Sequence, residues 1–474
     1  MSLMNKTVIE KITHIVGEKY IKNSTAQLLA YSYDATANFQ RLPDLVISPG
    51  NAEEIAEVIK VCNEYRISII PRGSGTNLAA GTVPYDGGVV ILFNRMDQIL
   101  NFDKENLTIT VQPGIISENL CTFVEAHGLF YPPDPSSMRI STIGGNVSEN
   151  SGGLRGLKYG VTKDYVKGLQ VVLPNGDILE TGGKLAKDVA GYDLTSLFVG
   201  AEGTLGVVTA ITLKLIPLPQ YKMTSIAYFE SLEDAARTVS SIIANKIIPV
   251  TLEFLDKKTI SAVEQYMKIG LSTDVEAMLL LEQDGEMHQV EQDVKEMVRI
   301  AEENGALFTQ IAKDAQEAEQ IKTARRVALS ALAKLKPTVI LEDATVPRSE
   351  LAKMVMRIND ISEKYNVNIA TFGHAGDGNL HPTCLTDLRD EEEMHRVEAA
   401  FSEIFEAALS LGGTITGEHG VGEMKAPYLE WKIGPIGINV MKNIKQTFDP
   451  NHIMNPGKVF AKETKKRVVV HGGN

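Results

Sequence analysis

Two glycine-rich stretches near the C-terminus hold the residue types best suited to chemistry. They are Gly373-His374-Ala375-Gly376-Asp377-Gly378-Asn379-Leu380-His381 and Gly417-Glu418-His419-Gly420. An apolar run, Asn368 to Phe372, leads into the first and reads as a strand. Ala-Gly-Asp-Gly-Asn is turn chemistry, so the chain is expected to reverse there. In such a hairpin His374 and His381 stand side by side across the two strands, roughly 5 Å apart at Cβ and able to share one metal ion. Glu418 is the candidate third ligand. Two histidines and one carboxylate suit Zn, Mn or Fe as divalent ions and leave coordination positions open for a substrate. The competing reading is a glycine-rich turn with two hydrogen-bonded histidines.

The first half of the chain has a different character. Ser68-Ile69-Ile70-Pro71 reads as a strand end and runs into Arg72-Gly73-Ser74-Gly75-Thr76-Asn77. Glycines there let backbone amides crowd an anion, the hydroxyl and amide side chains add hydrogen bonds, and a guanidinium matches a phosphate. The stretch is neither a Rossmann fingerprint, because Leu78 stands where the third glycine would fall, nor a P-loop, because no Gly-Lys-Ser/Thr follows. Pro132-Pro133-Asp134-Pro135, Ile143-Gly144-Gly145-Asn146, Asn150-Ser151-Gly152-Gly153 and Glu202-Gly203-Thr204-Leu205-Gly206-Val207-Val208 follow it. So many glycines beside β-branched strands imply close backbone approaches to something large and flat, and a dinucleotide is the economical guess.

These elements need a sizeable scaffold. The 474 residues suffice for two or three domains of roughly 100–200 residues each. A pattern change near Pro217-Leu218-Pro219 divides glycine-dense, β-branched sequence from strands alternating with long amphipathic helices. The expected domains are 1–219, 220–430 and a C-terminal helix and loop, 431–474, with helices at Ala52–Tyr65, Asp314–Ala333 and Gly437–Phe448 among others. The formal net charge of −13 makes nucleic acid an unlikely partner. No apolar run reaches the ~18–20 residues of a membrane span and no signal peptide opens the chain, which points to a cytoplasmic protein. Cys62, Cys121 and Cys384 share no metal or redox spacing and are expected to be packing residues in a reducing compartment.

Taken together, Pro-Arg-Gly-Ser-Gly-Thr-Asn, Ile-Gly-Gly-Asn, Asn-Ser-Gly-Gly and Glu-Gly-Thr-Leu-Gly resemble the flavin domain of the p-cresol methylhydroxylase and vanillyl-alcohol oxidase superfamily. The C-terminal histidine motifs and Asn455-Pro456-Gly457-Lys458 narrow the resemblance to the FAD-linked D-2-hydroxyacid dehydrogenases, from about Leu42 to Phe460. The resemblance implies an α+β protein: a two-part FAD-binding domain and a cap domain with a large, seven-stranded antiparallel sheet. It assigns FAD to Arg72, Gly73, Ser74, Gly75, Thr76, Asn77, Pro133, Asp134, Ser141, Gly144, Gly145, Asn150, Ser151, Gly152, Tyr159, Glu202, Gly203, Val207, Val208 and Asn455. It also implies a metal on His374, His381 and Glu418, Arg325 (with Arg326 close behind) on the substrate carboxylate, and His419 as general base, since an unperturbed imidazole titrates near pH 6.5.

The implied reaction is oxidation of a 2-hydroxyacid to the 2-oxoacid. Relatives that take a long dicarboxylate carry a lysine and an asparagine where this chain has Ile340-Leu341-Glu342-Asp343 and Thr383, which favours glycolate or D-lactate. The electron acceptor would be a quinone, a cytochrome or an iron–sulfur partner subunit. That acceptor would allow peripheral attachment at the inner face of a membrane, and a homodimer is compatible with this class. The runner-up is a D-lactate dehydrogenase. A non-catalytic flavin-binding subunit would not need the intact histidines, and a flavin-free metal-dependent hydrolase would leave the first-half glycines unexplained.

Relatives that hold FAD covalently often carry a histidine in the first glycine loop, where this chain has Thr76, so FAD is expected to be noncovalent. Acid precipitation of the purified protein should therefore release all flavin into the supernatant. Flavin colour retained on the precipitated polypeptide would show a covalent bond.

Overall fold

The computed structural model describes residues 4–466. Within them the chain forms two compact units, one of residues 4–151, 161–218 and 418–465, the other of 152–160 and 219–417. Residues 418–430, grouped by the sequence reading with the middle domain, pack in the first unit.

Among the described residues the first unit contains a two-stranded pair, Ile216–Pro217 with Leu129–Phe130, and two larger sheets. In one, Leu45–Ile47, Val89–Leu92 and Ile69–Arg72 run parallel, with the short strand Ile21–Lys22 antiparallel at the edge. Strands covered on both faces read as continuous apolar runs, and every residue of Val89–Leu92 is buried. Leu45, Ile47, Ile69, Val89 and Ile91 face the helices Lys6–Val16 and Ala52–Tyr65, while Val46, Ile70, Val90 and Leu92 form a second cluster. At about 1.5–3 kcal/mol for each fully buried aliphatic side chain, this packing fixes where the strand after Ile69 ends and the glycine loop begins. The helix Ala52–Tyr65 starts where Asn51 caps the Glu54 amide and stops at Arg66 in left-handed conformation, φ 54°. The second sheet is a five-stranded antiparallel one in the order Ile99–Asp103, Thr108–Val111, Val207–Lys214, Val166–Val172, Ile178–Gly182.

The second unit is built on one large antiparallel sheet. Seven strands lie in the order Ala306–Ile311, Tyr221–Phe229, Ala277–Gly285, Thr251–Asp256, Ile369–His374, Asn379–Thr386, Thr338–Leu341, and the short Ala344–Thr345 also pairs with Asn379–Thr386. Amphipathic helices, among them Leu232–Ala244, Met287–Glu303 and Leu351–Lys364, alternate with the strands.

One helix expectation needs correction. Asp314–Ala333 is not one helix; it breaks at Val327 into Ala315–Arg326 and Ala328–Leu332. Leu429–Phe448 is divided at Gly434, whose φ of 71° and ψ of 168° are not helical, and the expected helix Gly437–Phe448 lies within the part that follows. No described helix is long and apolar enough to cross a membrane.

All three cysteines are buried, and none forms a disulfide among the described residues. Burial pushes the thiols of Cys62 and Cys384 up to about 12. A thiolate is the reactive form, so iodoacetamide at pH 8 should leave both unmodified in the native protein and label them after denaturation. Intact-mass measurement gives the result, and rapid native labelling at either position would contradict it.

Candidate functional site

The reversal between Ile369–His374 and Asn379–Thr386 is a hairpin. Gly378 at its tip has φ 84°, a conformation that costs an L side chain strain, and a Cβ added there would strike the Val346 carbonyl. The register departs from the sequence expectation. His374 pairs with Asn379 and His381 pairs with Phe372, so the two histidines are diagonal, not opposite. Because side chains alternate with period two, the diagonal still places both on one face, and the rings meet edge-on with centroids 5.1 Å apart.

The neighbouring strand supplies a residue that the sequence reading missed. The pairs Phe254–Gly373 and Leu255–Phe372 bring Glu253 beside His374. Glu253 Oε1 lies 2.7 Å from His374 Nδ1, and Oε2 lies 2.6 Å from Arg325 Nε. Burial pushes the Glu253 carboxyl up, but the charges of His374 and Arg325 outweigh it and hold the group below its usual value. Arg325 is buried, its guanidinium lies 4.7 Å from the centre of the Phe372 ring, and its Nη2 makes no hydrogen bond among the described residues. One helix turn away, Lys322 pairs with Glu282 at 3.2 Å. Arg326 pairs instead with Glu319 at 3.4 Å. The only signal for Glu253 was a carboxylate inside an otherwise apolar strand, Thr-Leu-Glu-Phe-Leu.

Asp343 Oδ2 accepts the Gly417 amide at 2.5 Å, and Glu418 is the next residue, so a single peptide bond limits the reach of its carboxylate. One ligand atom from each of His374, His381 and Glu418 lies within 4.8 Å of the others. With His374 Nδ1 engaged by Glu253, Nε2 is the ring nitrogen whose lone pair suits an ion, and two nitrogens with one oxygen fit a divalent transition metal. His419 is half-buried on the following loop. Glu202, a cofactor candidate, holds that loop: its carboxylate accepts the amides of Val421 at 2.7 Å and Gly422 at 2.6 Å. Glu149 also abuts Gly420, and burial together with the Glu202 charge pushes its carboxyl well up.

The remaining cofactor candidates fall into several groups. The amides of Ser74, Gly75, Thr76 and Asn77 donate to no protein acceptor among the described residues, which fits an anion-binding loop. Arg72 is turned back beneath Gly75 and donates to Thr82 at 3.2 Å. Gly144 and Gly145 open the short helix Ile143–Glu149, and Asn150 leaves it at φ 55°. Ser141 sits against Ser117, and Pro133 and Asp134 are buried. Gly203 (φ 69°) packs on Pro71, and Val207 and Val208 begin a buried strand. Asn455 Nδ2 donates to the carbonyls of Gly81 and Glu202, leaving its buried Oδ1 without a hydrogen bond among the described residues. Bare amides and an orphaned polar atom fit FAD phosphate and ring edges. Gly152 and Tyr159 lie in the second unit, where Tyr159 donates to Asp284 at 2.9 Å; Ser151 closes the first unit's segment.

Residues 43–182 match the family described as FAD binding domain, and residues 218–459 match FAD linked oxidases, C-terminal domain. The chain is 61% identical over 467 residues to glycolate oxidase subunit GlcD of Bacillus subtilis, covering 98% of this chain and 99% of that one. It is 34% identical to D-lactate dehydrogenase of Anaerostipes hadrus, covering 97% and 100%. Among solved structures, p-cresol methylhydroxylase with substrate bound is similar at TM-score 0.81 and 18% identity, covering 96% of each chain, which shows a shared fold.

Replacing Gly378 with alanine should lower the thermal midpoint more than replacing Gly270. Both have positive φ, but a Cβ at Gly270 meets nothing within 4 Å. Strain of this kind costs about 1–3 kcal/mol, and Gly378→Ala adds a collision with the Val346 carbonyl. Equal midpoints would show that the hairpin tip yields freely.

Proposed function

The chain belongs to the FAD-linked oxidases, and from that premise we propose that it oxidises a small D-2-hydroxyacid, glycolate or D-lactate, to the 2-oxoacid. The observation that carries this reading is the sheet face on which His374 and His381 stand together and Arg325 keeps an outer nitrogen uncommitted. The Arg325 guanidinium binds the substrate carboxylate, a match of planar charge and paired donors. His374, His381 and Glu418 would hold a divalent Zn, Mn or Fe ion, whose charge would lower the pKa of the substrate hydroxyl. His419 takes the hydroxyl proton. FAD, when bound, would supply the acceptor for the C2 hydride. The loop Arg72–Asn77, the turn Ile143–Gly145 and the Glu202-Gly203 segment hold that FAD noncovalently. Thr383 spends its hydroxyl on the His381 carbonyl at 3.1 Å, which supports a short substrate without a second carboxylate to satisfy.

The electrons then pass to a quinone, a cytochrome or an iron–sulfur partner subunit. A D-lactate preference is favoured by the D-lactate dehydrogenase relative, and a glycolate preference by the closer-matching GlcD relative. The proposed setting is cytoplasmic, with attachment at the inner membrane face where the acceptor is a quinone.

The test is anaerobic stopped-flow reduction of the bound flavin by glycolate, D-lactate, L-lactate and D-2-hydroxyglutarate. Glycolate or D-lactate should bleach the flavin fastest. His419→Ala should slow that step by about 10²–10⁴, the usual cost of losing a general base, with FAD content unchanged. A flavin that no 2-hydroxyacid reduces would sink the proposal, and a His419→Ala variant reduced at the parent rate would remove His419 from its role.

A further inference from the structure

We infer that Glu253 is a positioning residue serving two substrate-side groups at once: one carboxylate oxygen fixes the His374 ring with Nε2 available to the metal, and the other holds Arg325 for the substrate carboxylate. The inference rests on the metal and substrate roles proposed above.

The geometry is specific. Glu253 occupies a fully buried position between Leu252 and Phe254, where an apolar residue would pack at no electrostatic cost. Burying a carboxylate costs several kcal/mol unless partners offset it. Its two oxygens are divided between two partners, at 2.7 Å to His374 Nδ1 and 2.6 Å to Arg325 Nε. The first contact selects the tautomer. With the Nδ1 proton held by a carboxylate, Nε2 carries the ring's lone pair, an arrangement that makes imidazole a better ligand. The second contact engages Arg325 at Nε, the inner nitrogen, in an ion pair whose N–H is not aligned for a hydrogen bond. The outer Nη2 is thereby left uncommitted.

The contacts also close on themselves. Arg325 lies on the Phe372 ring, Phe372 meets His381 at 5.4 Å between centroids, His381 meets His374 at 5.1 Å, and His374 returns to Glu253. Moving the carboxylate would therefore disturb the metal ligand and the anion-binding arginine together.

Glu253→Gln tests this, because it keeps the shape but offers only one acceptor oxygen. The chelator-treated flavoprotein, FAD retained, is titrated with Co²⁺ and the d–d absorption followed. The parent should bind Co²⁺, and Glu253→Gln should bind it about 10–100-fold more weakly, the range for losing such an outer partner. Its KM for D-lactate should rise, with flavin content and thermal midpoint near the parent's. Glu253→Asp, which withdraws the carboxylate by one methylene, should move in the same direction and serves if the glutamine variant does not fold. Parent-like Co²⁺ affinity in the folded variants overturns the inference while leaving the metal site standing. A parent that binds no Co²⁺ overturns the metal reading and this inference with it.

Discussion

The register of three adjacent strands governs the chemistry of the second unit. Thr251–Asp256, Ile369–His374 and Asn379–Thr386 are aligned so that Glu253, His374, Phe372 and His381 share one face. Side chains alternate along a strand, so a slip by one residue would send each of these groups to the opposite face. The hairpin tip makes such a slip difficult: Gly378 is locked at positive φ against the Val346 carbonyl, and its amide returns to the His374 carbonyl at 3.1 Å. Backbone geometry, more than any single side-chain contact, thus decides that two imidazoles meet.

Charge then finishes what register begins. The sheet face carries buried carboxylates at Glu253 and Glu282, and the helix Ala315–Arg326 lays Arg325 and Lys322 over them at a spacing of three residues. Residues three apart lie on one helical face, so a single helix neutralises two strands. Removing one partner of such a pair leaves an uncompensated buried charge, at about 3–5 kcal/mol. The arrangement therefore holds the helix and the strands in one relation.

Much of this was legible in the sequence because it was written locally. The turn Ala-Gly-Asp-Gly-Asn, the apolar strand before it and the helix Ala52–Tyr65 follow from local residue types and periodicity, and the structure has them there. The p-cresol methylhydroxylase-type fold and the FAD-linked oxidase family were carried by motifs combined over the whole chain. Pairing register was not legible, since the turn length alone permits His374 to face either Asn379 or His381. The role of Glu253 was not legible either, because its two partners lie 121 residues away at His374 and 72 away at Arg325, and its apolar strand neighbours, though a local signal of burial, do not name them. The Val327 break was hidden by helix-forming residues on both sides.

The first unit handles its polar groups in the opposite way. There Glu202, read from sequence as a cofactor contact, spends both oxygens on the Val421 and Gly422 amides, and Arg72 is folded under its own loop toward Thr82. The charged side chains of the glycine motifs thus brace the backbone, and the backbone amides of Ser74–Asn77 are what the loop presents. Amides are fixed dipoles that need no rotamer ordering when a ligand arrives. A loop built this way binds by shape and hydrogen bonding, with its ionic groups acting one layer behind. The same division holds in the second unit, where Glu253 stands behind His374 and Arg325. In both units a buried carboxylate thus orders polar groups of a neighbouring segment, Val421 and Gly422 in the first and His374 and Arg325 in the second.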